Sequence, residues 1–406
     1  MCSGRLFSFR KGTVIIAAYA ILTALLIVGG SLSGRTVREI VEVSRHRDSE
    51  RAFWAAEAGV EQAIHDIKNN GWAGWAVTGD IKTTGLTHTR SDDLSQGCYD
   101  VTIDKYGWSR VTITSIGYFP DRTAPDRIRR ILRVVLRRNT AFDFAAFGKY
   151  DLDAVNLSRT DSYNSSYGDY NVSGNINDEG DVGTNGMLLT LANSAVVNGS
   201  PCVTSGGKIE VLNSAAFTGS ASYEADEKLP PPSVPAALSS LTADSDPRLN
   251  GGLTTLPAGD YHFANLTLKG GSQLVLKDGV RLYVSGGIDI GGSAAINVAG
   301  KVELYVDGNI KAAGNGIVNT TRKPADLMII GTGGSTQTID MVGTSDLYAA
   351  VYAPEATFSS GGSAHLYGAV TAGMVEIGGG EVHFDEALRA LTVVDDGYWR
   401  TVWEEV

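Results

Sequence analysis

The 406-residue sequence is 43% hydrophobic and 19% charged, with 49 Gly, 11 Pro and 3 Cys. Apolar content of that order excludes a wholly disordered chain, and three cysteines exclude a disulfide scaffold. The net charge of −11 is uneven: residues 1–140 hold 20 Lys/Arg against 14 Asp/Glu, and the remainder 14 against 31. An acidic bulk of that size argues against nucleic acid as a partner.

The chain opens with a basic leader, residues 1–12, carrying Arg5, Arg10 and Lys11. Residues 13–34 then run 22 positions without a charge, about 33 Å as a helix and enough to cross a bilayer core. The basic flank places the N-terminus on the cytoplasmic side of an inner or cytoplasmic membrane and the bulk outside it. A cleaved secretory signal is the weaker reading, because the apolar run is long and lacks an A-x-A site. From Arg35 to Asn69 there is no Pro, and Phe53, Ala56, Val60, Ala63, Ile64 and Ile67 recur at helical spacing. One helix over 13–69 is therefore expected. Ala20-x-x-x-Ala24 and Gly30-x-x-x-Gly34 offer small faces for close helix packing in lipid, and the stripe of Phe53, Val60 and Ile64 a second packing surface.

The basic leader ending in Lys11-Gly12, the membrane helix that follows at once and the segment RDSERAFWAAEAGVEQA (47–63) resemble the N-terminal module of PilX-type type IV pilin-like proteins. The A-x-x-A-E-A-G motif is matched, with one additional Ala, within Ala52 to Gly59 (AFWAAEAG), including Ala56 and Glu57. The resemblance implies cleavage between Gly12 and Thr13 by a prepilin peptidase, and pilin-like subunits and pilus assembly machinery as partners. Two positions depart from the family: Thr13 stands where Phe is preferred, and Ala17 replaces the family's membrane-embedded Glu. The loss of that carboxylate points to a minor component rather than a major filament subunit.

Residues 70–140 read as a small α+β head. CYDVTID (98–104), RVTITSIGY (110–118) and IRRILRVVLRR (128–138) are strand-like, with Leu132, Val134 and Leu136 on one face and Arg133 and Arg137 on the other. The six arginines of 127–138 have no interleaved aromatics for base stacking, so they read as a solvated face or a dock for acidic chain.

The remaining two-thirds is repetitive. VRLYVSGGIDIGGSAAIN (280–297) matches VELYVDGNIKAAGNGIVN (302–319) at an offset of 22; LLTLANSAVVNGS (188–200) matches KIEVLNSAAFTGS (208–220) at 20; LYAAV (347–351) matches LYGAV (366–370) at 19. Short alternating strands broken by Gly, Asn and Ser at this period predict a parallel β-solenoid, with a β-sandwich as the weaker alternative. The expected division is 141–225 as its first part, 226–262 as a Pro-rich excursion containing LPPPSVP, 263–392 as its second part, and 393–406 as a terminal cap. The segment 146–170, LPPPSVP and the 349–388 region resemble the uncharacterised solenoid domain that often follows PilX-type N-termini.

No catalytic constellation is legible, and the chain reads as a non-enzyme without cofactor. The six histidines are scattered, and none has a metal-binding spacing; His383-x-Asp385 reads as a structural pair. Asn175-x-Asn177-x-Glu179-Gly180 echoes a calcium loop, but it lacks the leading Asp and has Gly186 where the closing Glu belongs. Cys98 and Cys202 either pair or stay as buried thiols. The fold class is mainly β with a long N-terminal transmembrane helix, a pilin-like α+β head and a parallel solenoid. The expected function is a membrane-anchored minor pilin-like component displaying the solenoid for assembly or adhesion. The alternative is a surface-anchored solenoid that binds or processes surface glycans, recognisable by an acidic and aromatic row along one face.

Overall fold

The computed structural model describes residues 11–69, 72–80, 85–106, 110–138, 140–172, 174–244, 249–250, 252–313, 316–343, 346–363, 365–391 and 398–405. Most of the leader, residues 1–10, lies outside them. The chain is mainly β with one long N-terminal helix, and its contacts divide it into two units: residues 1–138 with 398–406, and residues 139–397.

In the first unit, helix α1 (Lys11–Asn69) is continuous over 59 residues. The strands β1 (Ala76–Asp80), β2 (Gly85–Leu94), β3 (Gly97–Tyr106), β4 (Arg110–Phe119) and β5 (Ile128–Arg138) pair antiparallel in chain order. The helical stripe read from the sequence is the core: Ala56, Val60, Ala63, Ile64 and Ile67 pack on Tyr99, Val101, Ile103, Ile113, Leu132 and Val134. Two glycines set how closely helix and sheet approach. A Cβ on Gly117 of β4 would lie 2.0 Å from the Ala52 carbonyl oxygen, and one on Gly59 would lie 2.3 Å from Ser115 Oγ. The small residues of A-x-x-A-E-A-G thus let the helix backbone lie against the sheet. Below this contact, buried Asp66 accepts hydrogen bonds from Gln62 Nε2 (2.9 Å), Trp75 Nε1 (2.9 Å) and Arg90 Nη1 (3.1 Å), fixing the helix end to the strands that follow.

Residues 398–405 depart from the expected cap. The strand Tyr398–Glu405 is the sixth strand of this sheet, antiparallel to β5. The backbone of Glu404 pairs in register with that of Arg133, and an exposed ion pair joins the two strands, Arg130 Nη1 lying 2.8 Å from Glu405 Oε1. The basic run is therefore a dock for acidic chain, and its apolar alternates face the core.

The second unit is a coil of parallel rungs with three faces, and the repeat offsets are single turns. Val280–Val284 pairs with Val302–Val306 at 22, Lys208–Val211 with Leu188–Leu191 at 20, and Leu347 with Leu366 at 19. Leu, Ile and Val from all three faces fill one continuous core. At one corner Asn156, Asn193 and Asn213 take φ of 58°, 55° and 50°, a left-handed conformation Asn tolerates. Their amides form a ladder, Asn213 Nδ2 to Asn193 Oδ1 (2.9 Å) and Asn193 Nδ2 to Asn156 Oδ1 (3.1 Å). That ladder accounts for the repeated Asn-Ser pair.

The order of turns is permuted relative to the sequence. The rung at Ala146–Val155 stacks on His365–Gly378, and Arg159–Tyr163 stacks on Glu381–Asp385. The chain therefore enters the coil in its middle, winds to one end near residue 217, and restarts at the opposite end near Leu249. The segment between is a strap along the outside. Leu229 packs by Phe147 and Cys202, Tyr352 Oη donates to the Pro230 carbonyl (2.7 Å), and Leu238 is buried on Tyr283, Tyr305 and Ile330. The coil resumes at Leu249–Asn250 and Leu253–Leu256, inside the expected 226–262 excursion, because the alternating pattern of 253–263 pairs with the next turn. Among the described residues Cys98 and Cys202 do not pair with each other: both are buried, in different units.

One partly buried acid gives this unit a pH dependence. Burial pushes the Asp181 carboxyl up to about 6, beside Glu179 and Asp178, against the Ser200 N–H bond (2.6 Å) and the charge of Arg389. The folded chain then holds a proton that the unfolded chain releases near the ordinary value of 3.8. Stability from this group is full below about pH 4 and is lost as pH rises through about 6, at most about 3 kcal/mol. Denaturant midpoints at pH 4.5 and 7.5 are expected to move closer together in Asp181→Asn than in the parent; an unchanged gap would remove Asp181 as the cause.

Candidate functional site

Helix α1 divides the residues singled out in the sequence. Gly12 and Thr13 lie within the helix span. Over the apolar half, Ile15, Ile16, Tyr19, Leu22, Leu25 and Leu26 are all exposed, and nothing would meet a Cβ on Gly30 or Gly34 within 4 Å. Ala20 and Ala24 are exposed in the same stretch. That surface is apolar on every side, long enough to cross a bilayer, and would not remain in water. Ala56, Gly59, Val60 and Ile64 are instead buried against the unit's own sheet, with Phe53 packed at the margin and Glu57 half-buried on the flank. The Phe53, Val60, Ile64 stripe thus packs within the unit itself, and Ala20, Ala24, Gly30 and Gly34 lie on the exposed apolar half of the helix.

The second unit assembles a cluster that the sequence did not disclose. His365 starts one rung, and Glu381 and His383 lie on the next, with His365 opposite Glu381 and Tyr367 opposite His383. On the following turn Asp161 sits opposite His383. Parallel strands stack about 4.8 Å apart, so side chains on the same face of consecutive turns converge. His383 Nε2 is 3.2 Å from Glu381 Oε2 and 3.3 Å from His365 Nδ1, and His365 Nδ1 is 3.5 Å from Glu381 Oε2. Behind them His383 Nδ1 is 2.6 Å from Asp161 Oδ1, and Tyr170 Oη donates to Asp161 Oδ2 at 2.6 Å. His383 and Asp161 are fully buried, whereas His365 and Glu381 remain about one-third exposed. The ring of His383 lies between Tyr170 (centroids 4.0 Å apart) and Tyr367 (4.6 Å).

Tyr348, Tyr367, His383 and Tyr170 form an aromatic row with acids beside it. Tyr348 stacks on Tyr367 at 4.4 Å, and Tyr367 and Tyr170 lie against His383, so the inner rings of the row pack on one another. The calcium-like segment is also structural. Asn175 Nδ2 donates to the carbonyls of Gly168 (2.9 Å) and Asp169 (3.2 Å), and Asn177 Nδ2 to Glu386 Oε1 (2.8 Å). The sequence signal for the histidine cluster was the 16-residue offset between HLY (365–367) and EVH (381–383), shorter than the other repeats and therefore easily missed.

These features define a protein with one N-terminal helix long and apolar enough to cross a membrane, an α+β unit on its C-terminal half, and a large parallel coil. Residues 213–391 match the family model described as a domain of unknown function (DUF7305), which covers the strap and the coil up to the rung of His383. No curated protein matches the chain. Among solved structures, the crystal structure of the competence-associated pilin ComZ from Thermus thermophilus aligns over 88% of this chain and 97% of that chain, with 12% identity and a TM-score of 0.28, too low to define a shared fold.

Proposed function

We propose that the chain is a minor, PilX-type pilin-like subunit, anchored in the cytoplasmic membrane by the N-terminal half of α1 and joining or priming a type IV pilus or related secretion filament. The single observation that carries this reading is the division of one unbroken helix: an apolar half exposed on all sides, and a half whose small residues lock it to an antiparallel sheet. A simple tether has no need of a rigid helical link between membrane and folded domain, whereas a subunit that packs laterally through its helix does. The sequence from Lys11-Gly12 to the A-x-x-A-E-A-G segment adds a site for prepilin peptidase before Thr13. On this reading the N-terminus is cytoplasmic, the coil is exported, and its role is display for assembly or adhesion, without catalysis.

The test is the mass of the N-terminal peptide in membrane and sheared-surface fractions, from cells with and without prepilin peptidase. A peptide beginning at Thr13, dependent on the peptidase and present in the sheared fraction, is expected. A chain that keeps residues 1–12 and stays in the membrane fraction would overturn the filament role and leave a tethered surface domain.

A further inference from the structure

We infer that His365, Glu381 and His383 form a Zn2+ site that joins two consecutive C-terminal rungs beside the seam where the coil's two chain segments meet. The first ground is shape. Zinc binds imidazole nitrogen and carboxylate oxygen at about 2.0–2.1 Å in tetrahedral geometry, which requires donor atoms about 3.3–3.4 Å apart. The three donor–donor distances here are 3.2, 3.3 and 3.5 Å. One ion above the plane of that triangle reaches all three atoms without moving a strand, and solvent supplies the fourth position.

The second ground is the arrangement behind the donors. Asp161, fully buried, sits 2.6 Å from His383 Nδ1 and accepts a hydrogen bond from the N–H at that position. The Nε2 lone pair is thereby aimed at the cluster, the carboxylate–histidine arrangement that orients ligands in zinc sites. Asp161 is itself held by Tyr170, and Tyr170 and Tyr367 cover both faces of the His383 ring. The ligand is fixed before any ion arrives.

The third ground is electrostatic. With Nδ1–H of His383 directed at Asp161, its Nε2 faces a Glu381 oxygen and His365 Nδ1, and with the His365 proton on Nε2 all three atoms present lone pairs to a cation. One proton can bridge one edge of the triangle, while a divalent ion satisfies all three corners. Two nitrogens and one oxygen suit zinc and its transition-metal neighbours, whereas calcium and magnesium favour all-oxygen sets. Among the described residues these are the ones whose donor atoms converge in this way.

Position gives the site a purpose. His365 belongs to the rung that receives Ala146–Val155, Glu381 and His383 to the rung that receives Arg159–Tyr163. Chain connectivity does not reinforce this junction, because its two sides are more than 200 residues apart in sequence. An ion bound by the two C-terminal rungs fixes His383, and through its Nδ1 contact with Asp161 it steadies the rung on which the other chain segment stacks.

The experiment uses the full-length protein in detergent, without a histidine tag, stripped by chelator and then titrated with ZnCl2 and separately with CoCl2. One ion retained per chain is expected, with the visible absorption of tetrahedral Co2+ and a rise in the melting temperature of the coil on adding Zn2+. His383→Ala disturbs a buried stack, so the deciding variants are the half-exposed His365→Gln and Glu381→Gln. Each is expected to melt like the stripped parent yet bind Zn2+ at least about 10-fold more weakly, and Asp161→Asn about 10–100-fold more weakly. His262→Ala, a histidine outside the cluster, is expected to bind as the parent does. Failure to retain the ion, or unchanged stoichiometry and affinity in His365→Gln and Glu381→Gln, would overturn the site and leave a proton-bridged cluster.

Discussion

Gly117→Ala is expected to destabilise the N-terminal unit by about 3 kcal/mol or more, among the largest effects of any single methyl group in this chain. The added Cβ would stand 2.0 Å from the Ala52 carbonyl oxygen and 2.4 Å from the Ala56 nitrogen. Both are backbone atoms of α1 that cannot rotate aside, so helix and sheet must part, and the Val60, Ile64, Ile113 and Val134 contacts loosen with them. Gly59→Ala meets a different obstacle. Its Cβ would press on Ser115 Oγ at 2.3 Å and the Tyr99 ring at 2.8 Å, side-chain atoms that can yield. Alanine also regains about 1 kcal/mol of helix propensity there. Gly30→Ala meets nothing within 4 Å and is expected to leave the melting temperature unchanged. The order of thermal midpoints in detergent-solubilised protein is therefore Gly30→Ala equal to parent, Gly59→Ala lower, and Gly117→Ala lowest. A Gly117→Ala variant that melts with the parent would show that the helix does not lie on the sheet as described.

The same contact marks how far the sequence could be read. The periodicity of Phe53 to Ile67 gave the buried face of the helix, because an amphipathic pattern reports which side is covered. It could not report what covers it, and the covering surface is the unit's own β3, β4 and β5. The parallel coil was legible because stacking in register makes near-identical residues recur every 19–22 positions. The order of its turns was not. Parallel rungs add equally well to either end of a growing coil, and nothing in the pattern of residues 146–155 names 365–378 as their neighbour. The terminal strand Tyr398–Glu405 escaped for a related reason: a single alternating strand with acids is compatible with any open edge, and the basic β5 edge captured it. The histidine cluster joins residues from two turns, with a third behind them, and its one trace along the chain, the 16-residue offset between HLY (365–367) and EVH (381–383), is shorter than the repeats that reveal the coil.

Because the coil is continuous in space but permuted in sequence, Val370→Asp is expected to unfold both chain segments together. Val370 is fully buried, between Val351 on one side and Ala146 on the other. A carboxylate there has no partner and costs about 3–5 kcal/mol. In a coil each turn is stabilised by its neighbours, and about three turns are the minimum for independent stability. The segment 146–217 supplies few turns and uses His365–Gly378 as its template, so it loses that template when the seam opens. Limited proteolysis of the solubilised variant, with fragments identified by mass, is expected to show cleavage in 146–217 and in 347–385 at the same protease dose. The rungs furthest from the seam, near Gly259–Phe263 and Val280–Val284, are expected to hold longest. Val211→Asp, at a position 41% exposed near one end of the coil, is expected to leave the protection pattern unchanged. Two separate domains, one before and one after the proline-rich segment, would behave otherwise: Val370→Asp would expose only the later segment while 146–217 stayed resistant. Protection of 146–217 in that variant would refute the permuted coil, and with it the junction at which the histidine cluster sits.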